Sequence, residues 1–140
     1  NGFRRACGGK GLNQSIALAR AGASVWPAGM VGEEGTFLID ELAAAGMYAY
    51  VGLNVGRMID GFDYSSVTAR NQQKEALKSI INNLKGHPAI LMWCIGNELE
   101  QNNKSDGSQI DTFGSPEAKN LWADVNEISQ YIHSVDGRPM

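Results

Sequence analysis

The 140-residue sequence is poor in cysteine and in clustered positive charge. Its two cysteines, Cys7 and Cys94, are far apart in sequence, which argues against a disulfide framework and against a metal site, so no metal or cofactor is expected. A net charge of −3 without any basic tract argues against nucleic acid as a partner. Apolar runs are too short to span a membrane, and no signal-peptide core opens the sequence, so no membrane partner is expected either.

The stretch from Gly8 to Gly22 begins with clustered glycines and continues into a helical pattern. Such a turn exposes backbone N–H groups and can approach a ligand closely. The Walker spacing is absent, so ATP binding is not expected, and a plain glycine-rich turn before a helix remains an alternative. The stretch resembles the first signature of the ribokinase-type (PfkB family) sugar kinases, and Gly29 to Gly35 is similar to a second one. This resemblance implies a sugar site made by Gly8, Gly9, Lys10 and Asn13.

The apolar run from Ala89 to Ile95 predicts a parallel strand that is buried on both faces, Cys94 included. The strand delivers Asn97 and Glu98 to its C-terminal end, where parallel α/β folds build their active sites. Glu98 is therefore a candidate catalytic acid, although it could equally leave the sheet only to cap a helix or form a salt bridge. Because side chains alternate along a strand, the chain must bulge or turn if both residues are to face a site.

The segment from Gly86 to Glu98 resembles the fourth-strand signature of the glycoside hydrolase clan that contains family 2 enzymes and cellulase-like (β/α)8 barrels. Met47 to Arg57 looks like the preceding barrel strand, with Gly61 to Tyr64 in its loop. In that clan the Glu is the general acid/base and the preceding Asn hydrogen-bonds the sugar 2-hydroxyl. The resemblance implies these two roles for Glu98 and Asn97.

The two resemblances predict two domains, a ribokinase-like fragment over 1–46 and a glycoside hydrolase barrel fragment over 47–140 that carries strands 3 and 4 with their helices. The expected fold is α/β with parallel βα units, an incomplete TIM-barrel-like segment preceded by a kinase-like helix-strand-helix. A complete barrel needs about 250 residues, and the sequence looks cut at both ends. Exposed sheet edges would favour self-association. The pattern predicts strands near 24–31, 48–54 and 89–95, and helices at 11–21, 34–45, 67–85 and 116–134.

The predicted function is that of a fragment of a carbohydrate-active enzyme, a retaining β-glycosidase or a transglycosylase, with a carbohydrate as its partner. Glu98 would supply only the acid/base half of the site, since the nucleophile of the resembled family lies on the seventh strand, so the chain alone is expected to be inactive. A sugar kinase fragment and a non-catalytic α/β chimera remain alternatives. The sequence leaves open the sugar, the linkage, the compartment and the origin of the join near residues 42–47.

Overall fold

The computed structural model of the protein describes residues 10–25, 28–30 and 36–140. These ranges contain a parallel sheet with helices between its strands, which confirms the expected α/β class, and the helix bounds agree with the predicted ones to within two residues. The elements are α1 (Lys10–Arg20), β1 (Ala28–Met30), α2 (Thr36–Ala44), β2 (Ala49–Leu53), a short 3-10 helix (Met58–Asp60), α3 (Val67–Leu84), β3 (Ile90–Ile95) and α4 (Pro116–Val135).

The three described strands follow the order β1-β2-β3, and both neighbouring pairs are parallel. In the registers Val51 of β2 lies between Gly29 of β1 and Trp93 of β3. One sheet therefore continues across the predicted junction at residues 42–47. The division into two domains at that junction stays a prediction.

The helix boundaries follow from local capping chemistry. The side chains of Ser66 and Ser115 accept hydrogen bonds from the amides of Ala69 and Ala118, which begins α3 and α4 where the sequence predicted them. Pro116 occupies the first turn of α4, where its missing N–H costs nothing. These caps fix where the two helices that cover the sheet begin.

The apolar core lies between the sheet and the two longest helices. β2 contributes Val51 and Leu53, both fully buried, because their side chains pack in one cluster with those of the helices that cover this face of the sheet. The same cluster contains side chains that recur at helical spacing along α3 and α4, namely Leu77, Ile81 and Leu84 together with Leu121, Ile128 and Ile132.

A buried ion pair connects these helices. Arg70 of α3 donates two hydrogen bonds, of 2.8 and 2.7 Å, to the carboxylate of Asp124 on α4, whose side chain is almost fully buried. This bidentate geometry pairs the Asp124 carboxylate, whose burial without a partner would cost free energy of folding. None of the helices in the described ranges is both long and apolar enough to cross a membrane.

The burial of β3 corrects one expectation. Ile90 and Trp93 are buried, but Met92 is only half-buried and Cys94 is exposed. The side chain of Trp93 points to the opposite face from Met92 and Cys94, and α4 contacts this strand. Within the described residues the second face of the sheet is less covered than the helix-packed face. An apolar run alone does not reveal such a difference.

Candidate active site

The candidate site lies where β2 and β3 end side by side. The amide of Gly96 donates a 2.9 Å hydrogen bond to the carbonyl of Leu53, so the segments that follow the two strands leave the sheet at the same edge. This edge is the C-terminal one of a parallel sheet, where parallel α/β folds place their catalytic groups. The residues after Leu53 and after Gly96 therefore face one another.

A tight turn carries Asn97 and Glu98 out of the strand, as the alternation argument predicted. Gly96 has a φ of +72° and Glu98 a φ of +50°, both in the left-handed region. A Cβ on Gly96 would lie only 2.6 to 2.9 Å from side-chain atoms of the buried Leu99, so glycine is required there by space as well as by conformation. Glu98 carries a side chain that makes the left-handed conformation unfavourable, and such strained residues other than glycine concentrate at functional sites.

A cavity of about 540 Å³ opens beside this turn. Its volume falls within the range of roughly 300–1,000 Å³ of small-molecule sites. Asn97 contributes to its wall, while the other lining residues come from the segment after β2: Asn54, Val55, Gly56, Arg57, Asp60, Gly61 and Phe62.

Arg57 connects the two sides of the site. Its Nε and Nη2 donate to the two carboxylate oxygens of Asp60 at 2.7 and 3.1 Å. Its Nη1 donates to Glu98 Oε2 at 3.3 Å and to Gln101 Oε1 at 3.0 Å. The hydrogen bond to Asp60 is the main cause that raises the pKa of Arg57, and the charge of Glu98 adds to it. The guanidinium therefore stays charged and ties the Glu98 carboxylate to the loop after β2.

Buried groups hold Arg57 in place through its neighbour Gly56. The amide of Gly56 donates to Gln73 Oε1 at 2.6 Å, and its carbonyl accepts from the hydroxyl of Tyr64 at 2.7 Å. Tyr64 is fully buried, and burial raises the pKa of its phenol. A Cβ on Gly56 would collide with the ring of Phe62. The loop that carries Arg57 is thus fixed on both sides by satisfied hydrogen bonds.

The structure brings two of the six predicted site residues to this edge. Asn97 and Glu98 lie together, and the Glu98 side chain is 59% exposed. Its ion pair with Arg57 is the salt bridge that the alternative interpretation expected, and this contact is compatible with a catalytic role. The proposed sugar site of the kinase-like segment cannot be located, because Gly8 and Gly9 lie outside the described residues and Lys10 and Asn13 are described only by their helical backbone.

Sequence reasoning missed Arg57, Asp60 and Gln101 as parts of the site. Their position just after the ends of parallel strands was the available signal, since such loops meet at one edge. The pairing itself was not visible, because Arg57 and Glu98 are 41 residues apart. No group of three or more His, Cys, Asp or Glu suited to a metal ion occurs among the residues that the structure describes.

Comparison with known families agrees with this geometry. Residues 28–130 match the family model described as "Glycosyl hydrolases family 2, TIM barrel domain", which is about three quarters of the chain. The matched range contains β2, β3 and the turn with Glu98. No curated protein matches the chain. The match supports the glycoside hydrolase resemblance, whereas nothing supports the sugar kinase resemblance or a chimera. The chain therefore belongs to the TIM barrel domain of the family 2 glycosyl hydrolases.

Proposed function

We propose that this chain supplies the acid/base half of a retaining β-glycosidase or transglycosylase site. Glu98 donates a proton to the leaving glycosidic oxygen and then takes one from the incoming water or acceptor hydroxyl, and Asn97 hydrogen-bonds the 2-hydroxyl of the sugar, as the family resemblance implies. The observation that carries the proposal is the turn at the end of β3, which brings Asn97 into the wall of a cavity of ligand size and pairs Glu98 with Arg57 of the same wall. The family 2 match over this turn supports the assignment.

Retaining hydrolysis needs a second carboxylate about 5–5.5 Å from the first, on the other side of the scissile bond. Asp60 is one candidate, because it binds the same guanidinium as Glu98. Both of its oxygens are held by Arg57, however, so attack by either one would have to break a charge-assisted hydrogen bond. We therefore assign the nucleophile to a later strand, as in the resembled family. Residues 1–140 alone should not hydrolyse aryl β-glycosides above background.

Sugar binding by Asn97 tests the proposal without requiring catalysis. The chain should bind methyl β-D-glucopyranoside weakly, about in the millimolar range, because an open half-site buries little of the ligand. Amide resonances of Gly56 and Asn97 should shift in a two-dimensional NMR titration. Asn97→Ala should weaken binding by about fivefold or more, the effect of one lost hydrogen bond.

Asn83→Ala is the matched control, because Asn83 is exposed on α3 and does not line the cavity. It should leave the titration unchanged. Shifts that persist unaltered in the Asn97→Ala variant would remove Asn97 from the site. A complete absence of shifts around the cavity would contradict the proposed carbohydrate site.

A further inference from the structure

The hydrogen-bonding capacity of Arg57 is almost fully used within the protein. A guanidinium has five N–H groups. Nε and one N–H of Nη2 donate to Asp60, and Nη1 donates to both Glu98 and Gln101. One N–H, on Nη2, is left for a ligand. Recognition of a carboxylate by arginine normally uses two parallel N–H groups, and this pair is already taken by Asp60.

The charge around the cavity also disfavours an anionic ligand. Arg57 is the single cation among the described lining residues, and it faces the two carboxylates of Asp60 and Glu98. When all three groups are ionised, one negative charge remains in excess. An anionic ligand would meet this excess charge and would also have to displace Asp60 from a bidentate ion pair.

The uncharged part of the lining suits a neutral sugar. Asn54 and Asn97 offer amide donors and acceptors of the kind that hydroxyl groups can satisfy. Phe62 lines the cavity and supplies an apolar surface for the C–H face of a pyranose ring. Its ring packs against the buried Tyr64, with 4.7 Å between the ring centroids, so this surface is held in place. Hydroxyl recognition therefore needs no rearrangement of the Arg57 cluster, whereas carboxylate recognition does.

We propose that Asp60 is a specificity-determining residue: by occupying Arg57, it makes the site select neutral glycosides and reject uronic acid glycosides. This inference rests on the proposed function, since it assigns a substrate class to the same site. Asp60 acts on the ligand through Arg57 and takes no part in bond cleavage. Its removal should therefore change which sugar binds.

Two probes of matching shape test this selectivity at pH 7, methyl β-D-glucopyranoside and methyl β-D-glucopyranosiduronate. In NMR titrations of the intact chain, the neutral glycoside should shift the amides of Gly56, Gly61 and Asn97, and the uronide should bind at least about fivefold more weakly. Asp60→Asn removes the negative charge and one of the two acceptors that hold Arg57, so uronide binding should improve by about fivefold or more while the neutral glycoside changes little. Added salt should reduce the difference, because the effect is electrostatic.

Asp40→Asn is the matched control, since Asp40 is exposed and pairs with His87, which precedes β3. It should leave both titrations unchanged. Gln101→Ala offers a second test, because it frees one N–H of Nη1 without altering charge, and it should raise uronide affinity to a smaller extent.

Equal or tighter binding of the uronide to the unaltered chain would overturn the inference but would leave the proposed carbohydrate site uncontradicted. Folded variants with unchanged uronide affinity would also overturn it. Failure of both probes to shift any cavity amide would overturn the proposed function and the inference together.

Discussion

Gly96 decides the direction in which the catalytic candidate points. The left-handed conformation at this residue turns the chain immediately before Asn97 and Glu98, and the buried Leu99 fills the space beside it. A regular continuation of β3 would send the two side chains to opposite faces of the sheet. The arrangement that brings Asn97 to the cavity and Glu98 to Arg57 therefore depends on a position that has no side chain of its own.

We expect Gly96→Ala to destabilise the protein by at least about 2 kcal/mol, because a left-handed alanine is strained and its Cβ would clash with Leu99. Gly107→Ala is the matched control: its φ of +82° imposes the same conformational strain, but no atom lies within 4 Å of the added Cβ. It should cost only about 1 kcal/mol. Urea unfolding of both variants provides the measurement. Equal losses would show that Leu99 does not restrict this turn.

Asp136 joins three elements at the opposite end of β3. It follows α4 and accepts hydrogen bonds from the amide of Gly86, from Trp93 Nε1 and from the guanidinium and amide of Arg138. Burial acts to raise the pKa of Asp136, but the hydrogen bonds from Arg138 and Gly86 outweigh it, so the pKa lies below its ordinary value. The ionised carboxylate therefore holds the end of α4 against the sheet.

A carboxylate whose pKa is lower in the folded state stabilises the protein above the unfolded pKa of about 3.9, and this stabilisation is lost as the pH falls through the folded pKa. We expect Asp136→Asn to lower the free energy of unfolding by about 1–3 kcal/mol at pH 7. The difference from the unaltered chain should shrink below about pH 4. Urea titrations from pH 7 downward measure it, with the exposed Asp40→Asn as the control. A loss that is independent of pH would contradict the role assigned to the charge.

Local chemistry made the elements predictable from sequence. Ser66 and Ser115 cap helices, and Gly22 and Gly46 end them in left-handed conformations, which is information contained in a few neighbouring residues. The burial of each face of the sheet, in contrast, depends on contacts between segments that are distant in sequence. The exposure of Cys94 follows from what covers each face of the sheet, a property that no window of sequence contains.

The same distinction applies to the candidate site. The position of Asn97 and Glu98 at the end of β3 was predictable, because a resemblance and the end of a strand coincide there, and their roles remain predictions. Arg57 was not, since its role arises only when the loop after β2 meets the turn after β3. The predicted sugar contacts of Gly8 and Gly9 lie outside the described residues and remain predictions, as does self-association through sheet edges.

In the whole molecule, the helix-packed core provides stability, whereas the C-terminal edge of the sheet carries the candidate site. α3 and α4 stabilise the sheet from one side through apolar packing and the Arg70–Asp124 ion pair. The loops at the edge carry exposed polar groups that contribute little to this core. Substitution of Glu98 should therefore alter chemistry without unfolding the protein, which makes its role separable from stability.

The proposed role of Glu98 as the general acid/base is tested most directly in a barrel completed with the family 2 strands that supply the nucleophile. In that enzyme Glu98→Gln should lower kcat/KM by roughly 10²–10⁴-fold. The loss should be larger for an alkyl β-glycoside than for a nitrophenyl one, because an alkoxide leaving group needs the proton more. Glu75→Gln, an exposed change on α3, should leave the rate unchanged. Full activity of the Glu98→Gln enzyme on both substrates would contradict the assignment.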